Sequence, residues 1–224
     1  MKNPIFLAID TTDMAKAQSL AHACAPHIGG LKLGLEFFCA HGPAGIQAFA
    51  GHGLPIFLDL KLHDIPNTVA KAITALAPLA PALLTIHASG GPAMIAAARK
   101  AAPPQTNIIA VTMLTSLDET DMVAIGIPET PATIVPRLAA LARASGANGI
   151  VCSPHEAAAV RAVWPEGQLI IPGVRPEGAD TADQKRVMTP AQALAAGATI
   201  LVIGRPITAA ADPAAAAASI AASL

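Results

Sequence analysis

Residues 57–69 read FLDLKLHDIPNTV, a buried strand running into a helix, yet they carry Asp59, Lys61 and Asp64. Only 13% of the chain is charged, so three charges in thirteen residues need a reason. Side chains two apart on a strand share one face of the sheet, which sets Asp59 and Lys61 side by side.

Working outward from this stretch, short apolar, branched runs recur: PIFLAID from residue 4, GLKLG from 30, PIFLDLK from 55, ALLTIHAS from 82, NIIAVTMLT from 107, GIVCS from 149, QLIIPGV from 168 and TILVIGR from 199. Between them lie alanine-rich segments of helical period, such as DMAKAQSLAHA, NTVAKAITALA, PAMIAAARKAA and TIVPRLAALARAS. Near-continuous apolar strands alternating with helices imply a parallel sheet covered by helices. Eight such units in 224 residues predict a single α/β domain, residues 1–224, folded as a (β/α)8 TIM barrel. An open doubly wound sheet is the alternative, but no break in the alternation marks an edge. The closing helix is expected in DPAAAAASIAASL, with Asp212 as N-cap and Pro213 in the first turn.

Composition excludes several classes of function. The formal net charge is -1 and the basic residues are scattered, which leaves no footprint for nucleic acid or an anionic membrane. No apolar run reaches the roughly 20 residues of a spanning helix, and the stretch before Asp10 is too short for a signal peptide. Cys24, Cys39 and Cys152 are odd in number and lack CxxC spacing, which fits a reducing cytoplasm better than a disulfide framework or a thiolate metal site. His22 and His27, five apart, share no helix face for a metal, and Ser153 and His155 lack a GxSxG context.

In a (β/α)8 barrel functional groups gather at the C-terminal strand ends. Here Asp10 ends the first run, Lys32 lies in the second, Asp59 and Lys61 in the third, His87 in the fourth, Thr115 after the fifth, and Gly204-Arg205 after the eighth. An alternating cluster of cations and carboxylates at one mouth is the pattern of a preorganised electrostatic site, although Asp59 and Lys61 alone also fit a structural ion pair. The long segment PGVRPEGADTADQKRVMTP, 172–190, has the length of a functional lid. With Arg175, Gly204 and Arg205 it falls where this architecture often binds phosphate.

The segments FLDLKLHDIPNTV, AVTMLTS, PGVRPEG…DQKRVMTP and VIGRPI, with AID and LKLG near the N-terminus, resemble the orotidine 5'-phosphate decarboxylase family along essentially the whole chain. The resemblance implies decarboxylation of orotidine 5'-phosphate to UMP without metal or organic cofactor. It implies Lys61 as proton donor to C6, Asp59 beside the substrate carboxylate, Lys32 bound to Asp59 and the ribose, and Asp10 on a ribose hydroxyl. Asp64, Ile65 and Thr68 would enter the active site of a partner subunit, making a homodimer. Thr115 would face the pyrimidine, Pro172 would join the substrate-binding set, and Gln184, Arg205 and the Gly204 backbone would hold the phosphate with Arg175 nearby. Metal-dependent sugar-phosphate decarboxylases, aldolases and epimerases of the same barrel type share the DxKxxD core. The magnesium-dependent decarboxylase and aldolase place an acidic ligand on the second strand, where this chain has Lys32. A non-catalytic nucleotide-binding barrel would be expected to have lost a member of the charged quartet Lys32, Asp59, Lys61 and Asp64. His63 and His87 stand near the cluster as either site or packing residues.

Overall fold

The structure, a computed structural model, describes residues 3–176 and 188–224. Each apolar run expected to be extended forms a strand: β1 (Ile5–Ile9), β2 (Gly30–Gly34), β3 (Ile56–Leu62), β4 (Leu83–His87), β5 (Asn107–Val111), β6 (Gly149–Val151), β7 (Gln168–Pro172) and β8 (Ile200–Ile203). All neighbours pair in parallel. β8 returns to β1 through Ile5↔Leu201, Phe6↔Val202 and Leu7↔Ile203, which closes the barrel and removes the edges an open sheet would keep.

The main helices are α1 (Met14–Cys24), α2 (Leu35–Gln47, kinked where Gly42 takes φ 58° before Pro43), α3 (Pro66–Leu76), α4 (Gly91–Ala101), α5 (Glu119–Ala124), α6 (Pro131–Ala144), α7 (Ala157–Val163), α8 (Pro190–Ala195), α9 (Arg205–Thr208) and α10 (Pro213–Ala222). Several begin on side-chain caps that satisfy otherwise orphaned amides. Asp13 accepts from the Lys16 amide, and Asp118 and Asp121 cap each other's amides reciprocally. Asp212 accepts from the Ala215 amide at 3.0 Å with Pro213 opening α10, as its sequence predicts.

Two apolar layers result from the period of two. One strand face, including Leu7, Ile9, Leu31, Leu33, Leu58, Leu84 and Ile86, meets helix residues such as Leu20, Phe37, Ile73 and Ile95. The other face fills the lumen with Phe6, Phe57, Leu83, Ile109 and Ile170, Phe6 and Phe57 meeting edge to face at 6.4 Å. Burial of each such side chain contributes about 2 kcal/mol. Along a strand the same face then changes character toward the C-terminal end: Phe6, Ala8, Asp10 from β1; Phe57, Asp59, Lys61 in β3; Leu83, Thr85, His87 in β4. The apolar floor thus carries a polar upper layer.

Space for both layers is made by β2. A Cβ on Gly30 would lie 2.3 Å from the Phe6 ring, and one on Gly34 would lie 2.9 Å from Lys32 Nζ. Gly30→Ala is therefore expected to displace Phe6 within a lumen it shares with Phe57 and to destabilise the fold by about 1–3 kcal/mol, as overpacking does. A lowered midpoint in urea denaturation with an unchanged slope is the expected reading.

Candidate active site

At the barrel mouth two ammonium–carboxylate pairs stand on adjacent strands. Lys32 Nζ donates to Asp10 Oδ1 at 2.7 Å, and Lys61 Nζ donates to Asp59 Oδ2 at 2.8 Å. Both lysines lie deep relative to ordinary surface lysines, with side chains 10% and 30% exposed. Such pairs survive partial desolvation because each charge has a close opposite partner. The resemblance implied a Lys32–Asp59 contact; here Asp10 is the ion-pair partner of Lys32, and Asp59 is that of Lys61. Asp10, just beyond β1, lies one strand from β2, and its carboxylate reaches the Lys32 head where Gly34 leaves room.

Strand alternation alone does not deliver Lys61. The β3–β4 register runs Phe57↔Leu83 and Leu58↔Leu84, then resumes at Leu62↔Ile86, so four steps on β3 oppose two on β4. Lys61 occupies this bulge with φ 51°, a left-handed conformation that costs a non-glycine residue on the order of 1–3 kcal/mol. The bulge re-aims the side chain toward Asp59. Thr85, fully buried on β4, bonds to both residues: its hydroxyl accepts the Lys61 amide at 2.8 Å and donates to Asp59 Oδ1 at 2.9 Å.

Two contiguous cavities open here. One, about 160 Å³, is mostly apolar, lined by Phe57, Val111, Met113, Val151 and Ile170 together with Thr115, Pro172, Asp59 and Lys61. The other, about 260 Å³, is polar: Asp10, Lys32, Gly173, Arg175, Gly204, Arg205 and Thr208 surround it. Asp59, Pro172 and Val202 border both. Of the residues expected at a site, Asp10, Lys32, Asp59, Lys61, Thr115, Pro172, Arg175, Gly204 and Arg205 thus converge. Asp64, Ile65 and Thr68 do not line either cavity and lie exposed where β3 passes into α3. Gln184, and with it the DQKR motif, lies outside the described residues. Thr85, Gly34 and the apolar wall were not singled out in the sequence, although Thr85 lies two residues from both Leu83 and His87 on the lumen face.

Among the described residues no three His, Cys, Asp or Glu side chains converge as a metal-holding group. No described helix is long and apolar enough to cross a membrane. Cys24, Cys39 and Cys152 are free thiols, and burial, then the nearby Asp212 charge, push Cys24 above the usual thiol range.

A parallel eightfold barrel bearing a charged, two-part cavity at the C-terminal ends of its strands defines the class: a (β/α)8 protein with an enzyme-like site. The family model described as orotidine 5'-phosphate decarboxylase / HUMPS matches residues 3–220. The chain is 58% identical over 213 residues to the orotidine 5'-phosphate decarboxylase of Sphingopyxis alaskensis, covering 95% of each protein, and 53% identical to that of Novosphingobium aromaticivorans over the full length of both. The crystal structure of orotidine 5'-phosphate decarboxylase from Lactobacillus acidophilus superposes with a TM-score of 0.85 at 34% identity, covering 97% of each chain. The chain belongs to the orotidine 5'-phosphate decarboxylase / HUMPS family.

His63 and His87 pack ring to ring beside the site, centroids 5.3 Å apart, without lining either cavity. Burial lowers the proton affinity of His87, and the neighbouring His63 and Lys61 lower it further against the opposing pull of Asp59. The unfolded chain then binds more protons than the folded one as pH falls through the ordinary imidazole range near ~6.5. The stability that depends on neutral His87 is complete above that range and is lost as pH falls through it. Urea midpoints measured between pH 7.5 and 5.5 are expected to decline in the wild type and to decline less in His87→Asn.

Proposed function

We propose that the chain, one barrel domain working in a reducing cytoplasm, decarboxylates orotidine 5'-phosphate to UMP and carbon dioxide. The observation that carries the reading is the Lys61–Asp59 pair at the boundary of an apolar cavity and a polar one. The pyrimidine fits the apolar cavity beside Thr115 and Pro172. The ribose lies against Asp10 and Lys32, and the phosphate lies toward Arg175, Arg205 and the Gly204 backbone.

Loss of carbon dioxide leaves the bonding electron pair on C6, in the plane of the ring and away from carbonyl delocalisation. Lys61 holds positive charge against that developing anion, then transfers a proton to C6 and recovers one from water. Asp59 opposes the substrate carboxylate in the ground state and ceases to do so as neutral carbon dioxide departs, so its effect differs between ground and transition states. Binding of the phosphate, remote from C6, would supply energy that helps to organise the reacting end and exclude water from it. No step calls on a metal or organic cofactor.

Lys61→Ala should lower kcat/KM by about 10⁴-fold or more, since it removes both a proton donor and a preorganised charge. The assay follows loss of orotidine 5'-phosphate absorbance in excess chelator. Wild-type turnover under these conditions with collapse in Lys61→Ala is the expected result. A wild type inert toward this substrate but active on a sugar phosphate once magnesium is restored would overturn the reading.

The same reading takes the chain as a homodimer. Asp64, Ile65 and Thr68 stand exposed at the start of α3, and Ile65 is 66% exposed, large for an isoleucine beside a charged site. These residues would complete the site of a second copy. Ile65→Glu should shift sedimentation from dimer toward monomer and make activity steeply dependent on protein concentration.

A further inference from the structure

Thr85 is a fully buried hydroxyl without a place in the chemistry just described. Its bonding is fixed in direction. The Lys61 amide can only donate, so it takes a lone pair of the hydroxyl at 2.8 Å. The single hydroxyl proton then goes to Asp59 Oδ1 at 2.9 Å, while the other carboxylate oxygen, Oδ2, accepts from Lys61 Nζ at 2.8 Å. Side chain and backbone therefore form a closed circuit: Thr85 hydroxyl, Asp59 carboxylate, Lys61 ammonium, Lys61 amide and back to the hydroxyl.

The circuit occupies the one irregular place in the β3–β4 ladder. Thr85 supplies the acceptor that the bulge leaves to the Lys61 amide, and so supports the left-handed backbone at Lys61. A β-branched threonine is suited to this because its χ1 has few accessible values. Orientation of the carboxylate follows, since one oxygen tied to β4 leaves the other facing the ammonium.

We propose that Thr85 is a positioning residue for decarboxylation, holding the Asp59 carboxylate and the Lys61 backbone in the one arrangement that aims the ammonium at the reacting carbon in the plane of the ring. The inference rests on the proposed roles of Asp59 and Lys61. Misplacement of a reacting group by about 1 Å is worth roughly 10²-fold in rate, which sets the expected scale.

The test compares Thr85→Val, which keeps the shape and removes the hydroxyl, with Thr85→Ser, which restores the hydroxyl, in steady-state kinetics on orotidine 5'-phosphate beside the wild type. Thermal unfolding of each variant is measured in parallel. The expected result is a fall in kcat of about 10²-fold in Thr85→Val, with KM changed less than about threefold because the phosphate and ribose contacts remain, and recovery of most of the loss in Thr85→Ser. A merely structural role would lower the melting temperature of Thr85→Val without this split between kcat and KM. The inference is overturned by a Thr85→Val kcat within about threefold of wild type, or by a Thr85→Ser variant as impaired as the valine. Should Thr85→Val not fold, Thr85→Ala takes its place against Thr85→Ser with the same two outcomes. A wild type that fails to decarboxylate the substrate sinks the proposed function itself, whereas an active wild type matched by Thr85→Val sinks the positioning role alone.

Discussion

The ion pair between Lys61 and Asp59 sets the constraint to which the surrounding structure answers. Two charges leave bulk water at the end of a strand whose first residues are core, and such a pair is tolerable only when geometry is good and the remaining hydrogen-bonding capacity is used. The carboxylate meets that condition with one oxygen on Lys61 and the other on Thr85. The backbone at Lys61 meets it through a bulge and the Thr85 hydroxyl. Below, Phe57 and Phe6 seal the lumen and keep the charged layer at the mouth.

The second pair, Lys32 with Asp10, depends on what β2 lacks. Gly30, Lys32 and Gly34 occupy alternate positions of a five-residue strand; the first glycine makes room for the Phe6 ring and the second for the Lys32 head. A lysine between two glycines in a buried strand is thus a packing solution as well as a charge. It also sets the electrostatic character of the polar cavity, because Asp10 and Asp59 each already accept an ammonium. Arg175 and Arg205 complete a wall rich in cations, suited to an anionic group.

Much of this was legible in the sequence because two simple periods carry it. Branched apolar runs separated by alanine-rich helices gave the eight strands in order, and polar residues within or at the ends of those runs gave Asp10, Lys32, Asp59 and Lys61. Less legible were features where local rules yield to tertiary contacts. Period-two reasoning pairs Asp59 with Lys61 correctly, but it assumes a regular strand and so misses the left-handed Lys61 and the two extra residues of the bulge. Thr85 reads as an ordinary strand threonine until β3 is beside it. The partner of Lys32 depends on where the chain leaves β1, which no spacing within GLKLG encodes. Asp64, Ile65 and Thr68 are exposed in a single chain, so their proposed use needs a second copy that one sequence does not display.

The division of the mouth into an apolar and a polar cavity gives the site its chemical logic. Under the proposed mechanism, electrostatic stabilisation of a carbanion grows as water is excluded, but excluding water from lysines and carboxylates is costly unless binding energy is supplied elsewhere. The polar cavity offers that second place: its arginines lie on the β7 and β8 side of the mouth, across from the Lys61 bulge, so an anionic group held there can contribute binding energy without touching the reacting carbon. Asp59 borders both cavities and couples them. A ligand filling only the apolar side would meet a charged wall without that compensation, whereas one spanning both could use its distant anion to hold its reacting end against Lys61.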